Sequence, residues 1–162
     1  MHHKFEYVFA NEQETIAWAT CLAGILKIGD VLAFSGELGV GKSVLSRAVM
    51  RALGVQDEVL PSPTYAIIQE YDGVVSGGNG CRIAHMDWYR LDGEDDADML
   101  GIREFFIPPW ICLIEWAEQA QGLLPNSVLH IHLSYVHGDI KKRQLCLSGV
   151  TAKHYAASMA NS

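Results

Sequence analysis

The chain reads as an α/β fold in three layers, with a mixed central sheet and a C-terminal antiparallel hairpin. Three observations carry this reading. Residues 31–34 and 110–114 are short, almost wholly apolar runs, the composition of strands covered on both faces of a sheet. Segments whose apolar residues recur at helical spacing alternate with those runs. Near the C-terminus, residues 128–136 alternate apolar with polar, and residues 144–147 follow a turn at His137-Gly138-Asp139, as in a half-exposed hairpin. With 162 residues, 49% of them apolar, the chain can bury one core and leaves little room for a second, so a single domain over 1–162 is expected.

Taken in order, Asn11 with Glu14 three residues later reads as a helix N-cap and its return partner. Ile16, Ala19, Ala23 and Leu26 continue at helical spacing, which predicts a helix over 12–27. Gly29-Asp30 breaks it, and the apolar strand at 31–34 ends at Ser35. A glycine-rich turn leads into a second helix over 42–53, whose apolar face holds Val44, Leu45, Ala48, Val49 and Ala52, and Gly54 stops it. After Pro61-Ser62-Pro63, residues 64–71 read as a strand, 72–80 as a glycine-rich surface loop, and 82–87 as a strand that ends in an acid. The acidic stretch 94–98 opens a short helix, since negative charge suits the N-terminal dipole. Pro108-Pro109 resets the chain before the 110–114 strand, which ends at Glu115, and 116–121 gives one or two helical turns. The tail after Gly149 is small and polar and is expected to fray.

Charge and cysteine usage narrow the function. Twelve Lys and Arg against nineteen Asp and Glu leave a net charge of −7, which argues against direct capture of nucleic acid or an anionic membrane. Cys21, Cys81, Cys112 and Cys146 lie far apart among apolar neighbours and read as reduced core residues, with neither a zinc spacing nor a disulfide frame. No run reaches the ~18 apolar residues of a membrane span, and Met1-His2-His3-Lys4-Phe5-Glu6 lacks the apolar segment of a signal peptide. A cytoplasmic address is expected.

The glycine-rich turn carries the chemistry. Gly36-Glu37-Leu38-Gly39-Val40-Gly41-Lys42-Ser43 fits the pattern G-x-x-x-x-G-K-[ST]. Glycines allow successive backbone N–H groups to turn toward one anion, and the helix that follows aims its positive end at the same point. Lys42 then reaches the β- and γ-phosphates of a nucleotide, while the Ser43 hydroxyl suits Mg2+. The four fixed positions recur by chance in about one chain of this length in two hundred. Here an apolar strand precedes the loop and an amphipathic helix follows it, the context that a phosphate loop requires, so the fold is read as that of a P-loop NTPase binding ATP or ADP.

Such a site needs an acid at the end of a neighbouring strand, to hold Mg2+ or orient water. Asp87 and Glu115 both qualify, and the residues alone do not order the metal and water roles between them. Asp87 shares its strand face with His85. Thr64, after Pro61-Ser62-Pro63, reads either as a γ-phosphate sensor in a switch loop or as the threonine that starts a strand. Arg90 reads as a structural ion pair rather than a charge-stabilising finger, and Trp116 as nucleotide neighbour or core. His130 and His132 alternate on the hairpin, as on a solvated strand face. Asp98-Met99-Leu100-Gly101 fits the GTPase pattern D-x-x-G but sits in an acidic helical stretch instead of after a strand.

Several pieces together resemble the TsaE (YjeE) family of small bacterial P-loop ATPases: Glu14-Thr15, the phosphate loop 36–43, Ser62-Pro63-Thr64-Tyr65, His85-Met86-Asp87-Trp88-Tyr89-Arg90-Leu91, Leu100-Gly101, Ile114-Glu115-Trp116 and Arg143, in order along nearly the whole chain. The resemblance implies an ATPase that works with the TsaB and TsaD proteins in placing a threonylcarbamoyl group on the adenosine next to the tRNA anticodon. It implies that ATP hydrolysis keeps the machinery cycling, and that tRNA is reached only through the complex. By itself the chain is expected to be a monomer or weak oligomer with weak turnover. Residue by residue, Lys42 and Ser43 become phosphate and Mg2+ ligands, and Asp87 and Glu115 metal or water-positioning acids. Thr64 becomes a switch residue. Glu37, Leu38, Gly39, Val40, Gly41 and Val44 surround the nucleotide, together with Thr15, Trp116 and Arg143. Ser43 and Val44 stand where the family usually has two threonines, and serine keeps the metal-binding hydroxyl.

Two other readings remain at this stage. A small-molecule kinase would use the same loop but would want a lid bearing several arginines, and the six here are scattered. A nucleotide-dependent interaction module, with hydrolysis incidental, is the other. A GTPase is disfavoured, because no Asn-Lys-x-Asp sequence occurs.

Overall fold

The computed structural model describes residues 3–61 and 67–162. Seven strands form one mixed sheet: β1 (Lys4–Phe9), β2 (Val31–Ser35), β3 (Ile68–Val74), β4 (Gly80–Asp87), β5 (Trp110–Glu115), β6 (Leu129–Val136) and β7 (Asp139–Ser148). Their order across the sheet is β1-β7-β6-β2-β5-β4-β3. The apolar runs take the interior: β2 lies between β5 and β6, parallel to both, and β4 is parallel to β5. The alternating or mixed sequences take the flanks as antiparallel pairs, β1 with β7, β6 with β7, and β3 with β4.

Alternation along each central strand builds a core on each face. Leu32, Phe34, Ile83, Ile111, Leu113 and Ile131 point to one side, where α1 (Glu12–Ala23), α2 (Lys42–Ala52) and α4 (Ala152–Ala160) close over them. Val31, Ala33, Ala84, Met86, Cys112 and Ile114 point to the other, covered by α3 (Glu94–Met99) and by two 3-10 segments, Ile102–Phe106 and Ala117–Leu123. The three expected layers are therefore present, and the expected hairpin is β6-β7.

The differences from the sequence reading have local causes. α1 ends at Ala23 instead of 27, because Ile25 and Leu26 donate to carbonyls three residues back and the Asp30 side chain accepts from the Lys27 amide. α2 ends one residue early, at Ala52. Strand β3 runs on to Val74 and β4 begins at Gly80, so most of the expected 72–80 loop is ladder; Gly73 faces Cys81 across it. Strand β1 was not foreseen, since its apolar side chains Phe5, Tyr7 and Phe9 alternate for only one short edge strand. The tail does not fray: α4 buries Ala152, Tyr155 and Ala156 against the first core. Among the cysteines, Cys81 and Cys112 are buried and Cys146 is half-buried, but Cys21 is exposed on α1, contrary to the core reading; all four are free thiols. Thr64 and the first part of the expected 64–71 strand lie outside the described residues.

Candidate functional site

The C-terminal ends of β2, β4 and β5 meet at one edge of the sheet, where open α/β sheets place their ligand crevices. The loop from Gly36 to Gly41 leaves β2 there and enters α2. Its three glycines all have positive φ, at 134° for Gly36, 78° for Gly39 and 119° for Gly41. At Gly36 a Cβ would lie 2.3 Å from the Leu133 carbonyl oxygen, so the loop presses on β6 in a way only glycine permits. A Cβ at Gly41 would meet nothing within 4 Å, so the backbone there opens onto space. The first helical bond of α2 runs from the Leu45 amide to the Gly41 carbonyl, which leaves the amides of residues 42–44 as the unpaired donors of a helix start.

Lys42 folds back along this loop. Its Nζ donates to the carbonyls of Gly36 at 2.6 Å and Glu37 at 2.8 Å, and stands 3.9 Å from the centre of the Trp116 ring. Burial pulls the ammonium below its usual pKa, against the opposing pull of Glu118, Glu115 and Asp87. Trp116 itself follows β5 in a left-handed backbone conformation, φ 58°, unusual for a bulky residue, and packs on Tyr89 with ring centres 4.9 Å apart.

Glu115 ends β5 only 1% exposed. Its Oε1 accepts from the Ser43 hydroxyl at 2.6 Å; its Oε2 accepts from the Ser46 hydroxyl at 3.1 Å and faces His85 Nε2 at 2.6 Å. Burial works to raise its pKa, but the hydrogen bond and charge of His85, joined by Ser43 and Ser46, outweigh that and hold the carboxyl below the usual range. Asp87 stands opposite Glu115 in the β4-β5 ladder, and its Oδ1 accepts from the Tyr89 amide at 2.9 Å.

Lys42, Ser43, Asp87, Tyr89, Glu115 and Trp116 line a cleft of about 320 Å3, together with Leu38, Gly39, Gly41 and Val44. On the other side of the same loop lies a second concavity of about 280 Å3, which Gly39, Val40, Gly41 and Val44 share with Thr15 of α1 and Arg143 of β7. Arg143 braces the loop from behind: its Nε donates to the Val40 carbonyl at 2.7 Å, and its guanidinium lies 4.4 Å from the Tyr135 ring centre. Of the residues that the family resemblance sets around the nucleotide, its metal and the attacking water, all but Glu37 and Thr64 therefore line one or other hollow. Glu37 contributes its carbonyl to Lys42, and Thr64 lies outside the described residues.

Some expectations resolve on the bland side. His132 is exposed and bonds Ser35 Oγ through Nδ1 at 2.8 Å, and Asp98 pairs with Arg103 on the surface, far in sequence and register from the loop. Tyr89 lines the cleft, while Ser46 and His85 stand behind it on Glu115, and the motifs alone give none of the three a role. Ser46 lies one helical turn beyond Ser43, and His85 lies two residues before Asp87 on the same face, but it takes the packing of α2 on the sheet to bring Ser46 to Glu115, and the pairing of β4 with β5 to bring His85 there.

Among the described residues no group of three or more His, Cys, Asp or Glu side chains could hold a metal ion by itself. The donor set that does converge, a hydroxyl and a carboxylate at the foot of a phosphate-shaped loop, suits a hard cation that arrives with phosphate oxygens of its own. No helix among the described residues is long and apolar enough to cross a membrane.

Comparison with known proteins agrees with the sequence motifs. The family model described as threonylcarbamoyl adenosine biosynthesis protein TsaE matches residues 9–145. The tRNA threonylcarbamoyladenosine biosynthesis protein TsaE of Bacillus subtilis is 36% identical over 141 residues, covering 86% of this chain and 82% of its own length. Its counterpart from Haemophilus influenzae is 34% identical over 127 residues, covering 78% and 76%. A crystal structure of Bacillus subtilis YdiB superposes with a TM-score of 0.80 at 29% identity, covering 99% of this chain and 97% of that one. With one family model spanning most of the sequence and these relatives matched along most of both chains, the expected resemblance holds, and the protein belongs to the TsaE family of threonylcarbamoyl adenosine biosynthesis proteins.

Proposed function

We propose that this chain is a Mg2+-dependent ATPase of P-loop NTPase fold, acting in the biosynthesis of threonylcarbamoyladenosine on tRNA within a modification complex that includes TsaB and TsaD. Family membership supports the pathway. The observation that carries the activity is the meeting of Lys42, Ser43, Glu115 and Asp87 in one cleft, at the mouth of a loop whose Gly36 admits no side chain.

In this reading the amides of residues 42–44 and the Lys42 ammonium bind the β- and γ-phosphates, with Lys42 giving up its carbonyl partners for phosphate oxygens. Ser43 and Glu115 would hold Mg2+, since a hydroxyl and a carboxylate oxygen already meet there at 2.6 Å. The bound cation would offset charge developing on the phosphoryl oxygens. Asp87, one strand over, orients the attacking water. The water oxygen bonds to the γ-phosphorus as its proton passes to a phosphoryl oxygen, the bond to the β–γ bridging oxygen breaks, and ADP and inorganic phosphate leave. Trp116 would lie beside the phosphates, and the second hollow, lined by Thr15 and Arg143, would take the nucleoside. Thr64 serves as the switch residue by its place in the family motif. The pull of three carboxylates on Lys42 keeps its cation available despite burial. Turnover is expected to be weak alone and to rise in the complex.

The test is substitution of each acid with separate measurement of ADP binding and ATP turnover. Asp87→Ala and Glu115→Ala should each lower hydrolysis by about a hundredfold or more while ADP binding falls far less, because these groups act chiefly on the transition state. Lys42→Ala should lose nucleotide binding in titration calorimetry. Wild-type turnover in both acid variants, or unchanged affinity in Lys42→Ala, would defeat the assignment.

A further inference from the structure

The carboxylate of Glu115 is held at both oxygens, and the two holds differ in kind. Oε1 faces the cleft and, among the described residues, is hydrogen-bonded by Ser43 alone, itself a cleft residue. Oε2 points the other way, into the layer between α2 and the sheet, where it meets Ser46 Oγ at 3.1 Å and His85 Nε2 at 2.6 Å. Ser46 and His85 are both 0% exposed, and neither lines the cleft. They reach Glu115 from separate elements, α2 and β4, so the carboxylate is pinned between a helix and a neighbouring strand.

We infer that His85 and Ser46 are positioning residues which fix Oε2 so that Oε1 alone is presented to the cation beside Ser43. This rests on the reading of Glu115 as a metal acid. The physical argument is one of rotational freedom. A carboxylate at a strand end can turn about its last bond and present either oxygen or both. Two donors on Oε2 remove that freedom before a ligand arrives, and buried donors behind a ligating carboxylate orient it and raise its fitness as a ligand. His85 meets this need because its Nε2 lies 2.6 Å from Oε2, within reach to donate to an ionised carboxylate, while its buried Nδ1 has no hydrogen-bond partner among the described residues; the ring is committed to one contact. Ser46 adds a second donor one helical turn below Ser43, which ties the orientation of Glu115 to the same helix that the phosphate loop enters. A purely structural role would need only that the buried charge be satisfied, whereas here the donors are divided so that one oxygen is left to the cleft.

The test is Mg2+ linkage of ADP binding by calorimetry, with ADP titrated at graded Mg2+ and in chelator, for wild type, His85→Phe, His85→Gln, Ser46→Ala and Glu115→Ala. His85→Phe should raise the Mg2+ concentration needed for half-maximal enhancement by about tenfold or more. Ser46→Ala should raise it about threefold, the low end of what one hydrogen bond is worth, as suits a long contact of 3.1 Å. ADP affinity in chelator should stay within about twofold in both, and His85→Gln, which restores a donor, should recover most of the loss. Should His85→Phe not fold, Ser46→Ala decides the matter alone. Wild-type Mg2+ dependence in Ser46→Ala and in any folded His85→Phe, or equal loss of affinity with and without Mg2+, would overturn the inference. Glu115→Ala separates the two readings: if it loses Mg2+ linkage while the other variants keep it, only the positioning role falls, and if it too keeps linkage, the metal role of Glu115 falls with it.

Discussion

Gly36 and Gly41 hold the same kind of backbone for different reasons, and a pair of alanine substitutions should separate them. Both have φ well above zero, so alanine at either is strained by about 1–3 kcal/mol. At Gly36 the new Cβ would also lie 2.3 Å from the Leu133 carbonyl oxygen, which cannot yield without moving β6, whereas at Gly41 it would project into open space. Gly36→Ala should therefore destabilise the fold by clearly more than Gly41→Ala in urea titration; equal losses would show that strain alone matters. This residue-scale detail was legible in the motif, because a turn that wraps an anion is a property of consecutive residues. His85 and Ser46 were not, because their meeting with Glu115 depends on which strands are neighbours and on how α2 packs over them. Cys21 shows the same limit from the other side: apolar neighbours in sequence suggested a core position, but the helix turns it outward. Burial pushes the thiols of Cys81 and Cys112 up, which lowers their thiolate fraction, so iodoacetamide should modify Cys21 first and reach Cys112 only on unfolding. Mass spectrometry of a time course checks this, and early labelling of Cys112 would contradict it.

At the scale of elements, the strands that the sequence announced are those whose environment is uniform. β2 and β5 are covered on both faces, so their apolar runs need no neighbour to interpret them. β1 and α4 were missed or misread because each is stabilised by what it lies on. β1 gains its ladder from β7, and α4 carries small residues that are not amphipathic enough to predict burial, yet Ala152 fits fully inside. The anchor of α4 is Tyr155, which is 6% exposed. Burial, and then the neighbouring Asp30 carboxylate, push its phenol well above the usual range, so the hydroxyl stays protonated as a donor toward the turn that leads into β2. Tyr155→Ala should cost about 3–5 kcal/mol by loss of a buried aromatic ring, and hydrogen exchange in α4 should become fast. A variant as stable as wild type in chemical denaturation would mean that the helix contributes nothing to the fold and that the sequence reading of a frayed tail was the better one.

On the whole-molecule scale, the balance of charge bears on how a chain in a tRNA-modification family meets its RNA. The net charge is −7, and several of the cations are already engaged: Arg82 with Glu70 and Asp72, Arg103 with Asp98, Lys142 with Asp139, and Lys42, Arg51 and Arg143 with backbone carbonyls. The surface pairs among them are weak and would yield to a stronger partner. What they cannot supply is the dense array of uncommitted Lys and Arg that releases counterions from a phosphate backbone, the source of sequence-independent affinity. The isolated protein should therefore give no saturable binding of unmodified tRNA at micromolar concentration in fluorescence anisotropy, even at low salt. Association should appear only when the proposed partners, TsaB and TsaD, are added. Tight binding by this chain alone, falling steeply with log salt with a slope of about −0.7 to −0.9 per phosphate neutralised, would show a local basic surface strong enough to override the acidic whole, and RNA contact would then have to be assigned to the chain itself.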